Sequence, residues 1–121
     1  MIINKRSLLD LALKSVQVFF KRPNKINAAF LEKINLNKNI QTKYGEILVS
    51  VCNELTNWRA NTFHIKEPDT LAWIDCFDRS DVFYDIGANI GLYSLYSGRK
   101  GVQTFCFEPE SQNYALLNKN L

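Results

Sequence analysis

The stretch from Asp81 to Pro109, DVFYDIGANIGLYSLYSGRKGVQTFCFEP, constrains the fold more than any other part of the chain. An apolar run, Val82-Phe83-Tyr84, leads into Asp85. Val82–Ile86 therefore reads as the first sheet strand, apolar as a central parallel strand should be. A glycine-bearing turn follows, Gly87-Ala88-Asn89-Ile90-Gly91. Leu92–Ser97 reads as a short helix ended by Gly98, and a second apolar run, Gln103–Phe107, closes on Glu108. Strand, tight turn, helix, strand, acid is the order of a nucleotide-binding βαβ unit. In such a unit the turn brings backbone N–H groups toward a ligand at a helix N-terminus. The acid ending the second strand accepts hydrogen bonds from the two hydroxyls of a ribose. Glu108 follows Asp85 by 23 residues, near the spacing of such an acid.

The glycine spacing bears on which ligand fits. A dinucleotide fingerprint is G-x-G-x-x-G, whose middle glycine clears room for a pyrophosphate. Counting from Gly87, the third position is Asn89 and the sixth is Leu92, so the turn reads D-x-G-x-N-x-G from Asp85 to Gly91. Asn tolerates a left-handed backbone better than most side chains, so the turn survives without its middle glycine. A pyrophosphate is crowded there. S-adenosylmethionine carries none, and the spacing favours it over NAD.

The blocks D-I-G-A-N-I-G-L-Y-S and F-E-P-E-x-x-N-Y-x-x-L-x-x-N resemble FkbM-type S-adenosylmethionine-dependent methyltransferases. Upstream, Asn57–Asp75 (N-W-R-A-N-T-F-x-x-K-E-P-D-T-L-A-W-I-D) is similar to the segment preceding their first strand. The resemblance covers roughly residues 44 to 121. It implies an α/β fold, the start of a Rossmann-like class I methyltransferase sheet, preceded by an N-terminal helix and a β-hairpin. It further implies O-methylation of a sugar or small-molecule hydroxyl, with a small-molecule or glycan acceptor as partner. Asp85, Gly87, Ala88, Asn89, Gly91 and Glu108 are the implied cofactor-binding residues. Glu67 and Thr70 are expected to reach the ligand's amino or carboxylate group, against the plain alternative of a capping motif. After Asp81 there is room for two strands and two helices of a seven-stranded sheet. The expectation is therefore a truncated chain, the N-terminal part of such an enzyme and inactive alone. Two other readings stand beside it: a non-catalytic S-adenosylmethionine-binding or interaction remnant, and a dinucleotide-dependent oxidoreductase.

The remainder divides at residue 43 into a basic helical arm, 1–43, and the domain proper, 44–121. Ser7–Phe20 has apolar residues at helical spacing (Leu8, Leu9, Ala12, Val16, Phe19, Phe20), with Ser7 and Asp10 as a capping box. Asp10 and Lys14 interrupt it, so an ordinary helix packed on the domain is expected in preference to a signal peptide or a membrane span; contact with a membrane surface stays open. Pro23 stops this helix, and Ala28–Ile34 is expected to add further helical turns. Ile47–Cys52 reads as a strand and Trp58–Ile65 as a second extended stretch, a hairpin joined through Asn53–Asn57. His64, the single histidine, is the candidate general base, weighed against a surface or packing residue. Arg59 has two readings, contact with an anionic substrate or a structural ion pair. Asp69 or Thr70 is expected to cap the next helix, with Leu71, Ile74 and Phe77 on one face and Trp73 in the core. Glu110–Leu121 completes the pattern, with Pro109 opening the helix and Tyr114, Leu117 and Leu121 inward.

Charge and cysteines exclude some classes. Residues 1–48 hold nine Lys/Arg against three acids, and residues 49–121 hold six against nine. No aromatics interleave with clustered arginines, which argues against a nucleic-acid surface. Cys52, Cys76 and Cys106 are scattered, with no CxxC and no His/Cys cluster, so no metal site is expected. Buried free thiols in a reducing cytoplasm are the expectation.

Overall fold

Residues 5–19 and 36–121 are described by the structure, a computed structural model. The chain falls into two units, residues 1–34 and 35–121. In the first, helix α1 spans Lys5–Phe19. It starts before Ser7, which is thus an interior residue and not the expected cap. Pro23 and the turns expected at Ala28–Ile34 lie outside the described residues. Among the described residues no helix is long and apolar enough to cross a membrane.

The second unit is α/β, built from an antiparallel hairpin, a parallel strand pair and helices. The hairpin pairs β1 (Asn37–Thr42) with β2 (Gly45–Ser50), and Thr42 stands opposite Gly45 across the turn. A hairpin was expected, but with Trp58–Ile65 as the partner of β2. That stretch is helical instead, in α2 (Glu54–Asn61) and the single turn α3 (Phe63–Lys66). The reason is local. Asn53 Oδ1 accepts the Thr56 N–H at 2.9 Å, and Thr56 Oγ1 accepts the Asn53 N–H at 3.1 Å. This reciprocal cap satisfies donors that a helix start leaves open, and it outweighs the strand preference of Trp58, Phe63 and Ile65.

Helix α4 (Pro68–Asp75) begins with Pro68 in its first position, where a missing N–H costs nothing. Asp69 and Thr70 lie inside the helix; Glu67 holds the cap position without a side-chain bond to the helix's first amides. Ile74 is buried, with Leu71 and Phe77 packed beside the core as the periodicity predicts. Trp73 is not core: it is 57% exposed, with its ring set edge-on to Phe77 and Phe83 at the rim.

Strands β3 (Val82–Ile86) and β4 (Gln103–Phe107) are parallel and match their predicted bounds. Between them runs α5 (Leu92–Lys100). Gly98 lies inside this helix, and the stop is Gly101, whose φ of 94° is left-handed. The register pairs Phe83 with Thr104 and Asp85 with Cys106 on the covered face. Val82, Tyr84, Ile86, Phe105 and Phe107 are exposed on the other, where Tyr84 stacks on Phe105 at 5.4 Å. Hence, among the described residues, β3 is covered on one face only, and its apolar face of Val82, Tyr84 and Ile86 is open, where a central parallel strand would be buried on both. Its buried face carries Asp85.

Helix α6 (Ser111–Asn120) is capped by Glu110, whose carboxylate accepts the Gln112 and Asn113 N–H groups at 3.0 and 2.7 Å. Pro109 therefore precedes the helix. Of the three residues expected inward only Leu117 is buried; Tyr114 and Leu121 are exposed. Cys52 and Cys76 are also exposed and Cys106 half-buried, contrary to the expectation of buried thiols. The core joins Ile40, Ile47 and Val49 of the hairpin to Phe63, Ile74, Phe83 and Tyr96. Hairpin and βαβ unit thus share one core.

Candidate functional site

Three left-handed residues shape the turn after β3: Gly87 (φ 83°), Asn89 (φ 55°) and Gly91 (φ 86°). Asn89 takes the conformation expected of it without being glycine. Gly91 is required twice over, since a Cβ there would stand 2.6 Å from Leu117 Cδ1 of α6. A Cβ at Gly87 would meet nothing within 4 Å, so the backbone there faces open space.

The turn's amides are engaged inside the protein. The N–H groups of Gly87 and Ala88 both donate to the Phe107 carbonyl, at 2.7 and 3.0 Å, and that of Gly91 donates to Ala88 O at 2.8 Å. The Asn89 N–H donates to Glu108 Oε2 at 2.7 Å. Glu108 Oε1 accepts the Glu110 N–H at 2.9 Å. The end of β4 is thereby tied to the turn, and each Glu108 oxygen keeps a further lone pair for another donor. The expected presentation of turn amides to a ligand does not hold for these four.

Asp85 sits beneath the turn. It is buried and its Oδ2 accepts the Ser94 hydroxyl of α5. Burial pushes its carboxyl above the ordinary range; the Ser94 hydroxyl and N–H oppose that, and the charge of Glu108 adds to it. Asp85 thus holds the start of α5.

Beside the turn lies a cleft of about 220 Å³. Its walls are Gly87, Ala88, Asn89, Ile90, Leu92 and Tyr93 on one side and Arg59, Phe63, Lys66 and Glu67 on the other. Of the sequence-predicted residues, Arg59, Glu67, Gly87, Ala88 and Asn89 meet there; Asp85, Gly91, Glu108 and Thr70 do not line it. His64 also lies outside: it is exposed, with Nε2 2.9 Å from the Gln41 carbonyl and its ring edge-on to Phe63. Glu67 pairs with Lys66 at 3.0 Å. That bond holds its carboxyl below the ordinary range, helped by the Tyr93 and Thr70 hydroxyls. The Tyr93 hydroxyl is pushed up to about 12, first by burial and then by Glu67, and stays protonated at neutral pH. Asn89 Oδ1 is buried without a hydrogen-bond partner.

The sequence reading missed Phe63, Lys66 and Tyr93 as cleft residues. Two signals pointed to them: the Asn53-x-x-Thr56 cap pattern, which turns the following segment helical, and the place of Tyr93 in the first turn after Gly91.

No protein-family model, curated protein or solved structure matches the chain.

Proposed function

We propose that this chain carries the cofactor-binding part of an S-adenosylmethionine-dependent methyltransferase, of the FkbM type its motifs resemble, acting on a hydroxyl of a sugar or other small molecule. The observation that carries the reading is the tie between turn and acid. Glu108 is held at the turn by the Asn89 amide with a lone pair left on each oxygen, while the Gly87 and Ala88 amides are taken by Phe107. Such a site offers acceptors for ribose hydroxyls and a poor cradle for pyrophosphate. A dinucleotide enzyme shares the ribose acid but also needs the pyrophosphate cradle, and the engaged amides count against it.

Two further observations suit the same ligand. Open space above Gly87 lets a ligand approach the backbone, and the orphaned Asn89 Oδ1 is an acceptor awaiting a donor. When bound, S-adenosylmethionine supplies an electrophilic methyl group on a sulfonium. The chain's own part is positional. Glu108 takes the ribose, the 87–89 backbone sets the depth of approach, and Asp85 with Ser94 fixes the helix behind the turn. Tyr93, held protonated, acts as a hydrogen-bond donor and not as a base.

The test is calorimetric titration of S-adenosylmethionine, S-adenosylhomocysteine and NAD into the full chain and its Glu108→Gln variant. Expected is binding of both S-adenosyl compounds, none of NAD, and a loss of about tenfold or more in the variant, the value of a charge-assisted hydrogen bond. A folded wild-type chain that binds neither S-adenosyl compound, or binds NAD in their place, overturns the proposal.

A further inference from the structure

Helix α1 has 15 residues and is therefore about 22 Å long, short of the roughly 30 Å hydrocarbon core of a bilayer. Its pattern suits a helix that lies on a surface. At about 100° per residue, Leu8, Leu9, Leu11, Leu13, Val16 and Phe19 fall within an arc of roughly 200°. Leu11, Leu13 and Val16 are exposed, at 64, 49 and 50%. Beyond Lys5 at its start, this arc holds one polar residue, Ser15, whose hydroxyl donates to the Leu11 carbonyl at 2.9 Å. A hydroxyl satisfied inside its own helix costs little in an apolar medium. On the remaining arc the positions of Arg6 and Lys14 flank that of Asp10.

What covers the apolar arc follows from charge. Residues 1–34, the first unit, carry seven Lys/Arg against two acids, whereas residues 35–121 carry eight against ten. Two basic pairs, Lys5-Arg6 and Lys21-Arg22, bracket most of the helix in the sequence. A wide apolar face within a segment of cationic excess matches a surface that is apolar beneath anionic head groups. A nucleic acid would answer the charge but offer nothing to Leu11, Leu13 and Val16. We propose that α1 attaches the chain to an anionic membrane surface, its apolar arc sunk among the acyl chains. Arg6 and Lys14, with long stems and charged tips, reach the head groups from the flanks, and Asp10 faces water between them. The inference is independent of the function proposed above.

The experiment is sedimentation of the full chain with vesicles of phosphatidylcholine alone and of phosphatidylcholine with about one-third phosphatidylserine. The fluorescence of Trp58 and Trp73, both in the second unit, checks that each variant stays folded. Expected is binding about tenfold or more tighter to the anionic vesicles, reversed by added salt. Leu13→Gln with Val16→Gln should weaken that binding about tenfold or more, and Lys14→Glu about tenfold. A folded wild type that binds neither kind of vesicle, or both alike, overturns the proposal. So does binding that the double variant retains in full. Self-association in place of vesicle binding, lost in the double variant, would give the face to a second copy of the chain and overturn it too. Binding of single-stranded RNA in place of vesicles would do the same. None of these outcomes bears on the site at the glycine turn.

Discussion

Two parts of the second unit are held together by different means. Around the glycine turn the links run through the backbone: three amides go to a carbonyl and a carboxylate at the end of β4. Around Asp75, at the end of α4, they run through side chains. Asp75 Oδ1 accepts the hydroxyls of Tyr44 and Tyr96 at 2.9 and 2.8 Å, and Oδ2 pairs with Lys43 at 2.5 Å. Lys100 Nζ reaches from α5 to the carbonyls of Ile74, Asp75 and Phe77, closing the open end of α4. The first tie fixes the shape of the glycine turn and tolerates few residue types. The second fixes the hairpin against two helices and depends on one carboxylate.

The backbone tie should break hardest at Gly91. Gly91→Ala places a methyl against Leu117 and a side chain at positive φ, an expected cost of about 2–4 kcal/mol from overpacking and left-handed strain together. Gly87→Ala adds only the strain, about 1 kcal/mol, because its Cβ meets open space. Urea melts of both variants read the difference, which measures the close approach of α6 to the turn. Equal losses would mean that Leu117 gives way and that the approach is not a constraint.

This contrast explains what could be read from the residues. Val82–Ile86 and Gln103–Phe107 stand at their predicted bounds, and the left-handed Asn89 follows from its position, because turn chemistry is written locally. Convergence in space is not written so. Nothing near Asp75 announces that Tyr44 and Tyr96, 31 and 21 residues away, will meet on its carboxylate. Nor does the Asn at position 120 announce its role. Its side chain accepts the Ser50 N–H and donates to the Ile90 carbonyl, joining hairpin and turn. The 53–66 segment was misread because its aromatic residues favour strands, while a two-residue cap decided for helix. His64 drew attention for being the single histidine, and its place outside the cleft depends on that same helix.

At the second tie, Asp75→Ala should cost about 1–3 kcal/mol at neutral pH, the range for a buried hydroxyl left unsatisfied, since Tyr96 is only 4% exposed. Lys43 is exposed and should add little. Chemical denaturation of Asp75→Ala, with and without Tyr96→Phe, checks this. Tyr96→Phe should recover part of the loss by removing the orphaned hydroxyl. A null effect of Asp75→Ala would show that the convergence is incidental to stability.

The smallest expected effect separates the two ties by its sign. Burial pushes Asp75 up, but the bonds from Lys43, Tyr96 and Tyr44 outweigh it and leave the carboxyl below its ordinary value. Its stabilisation is therefore present above the ordinary aspartate pKa and lost as pH falls through the lowered folded value. Asp85 is shifted the other way by burial. Its contribution is present below the ordinary aspartate pKa and lost as pH rises through the raised folded value. Asn in place of either keeps the shape and an acceptor for the neighbouring hydroxyl while removing the titration. Stability measured from pH 3 to 7 should then show wild type gaining on Asp75→Asn as pH rises, and losing ground to Asp85→Asn over the same range. Two curves of the same slope would mean that the Ser94 bonds hold Asp85 ionised as firmly as the tyrosines hold Asp75. Asp85 would then be a charge beneath the turn, available to a ligand's ammonium.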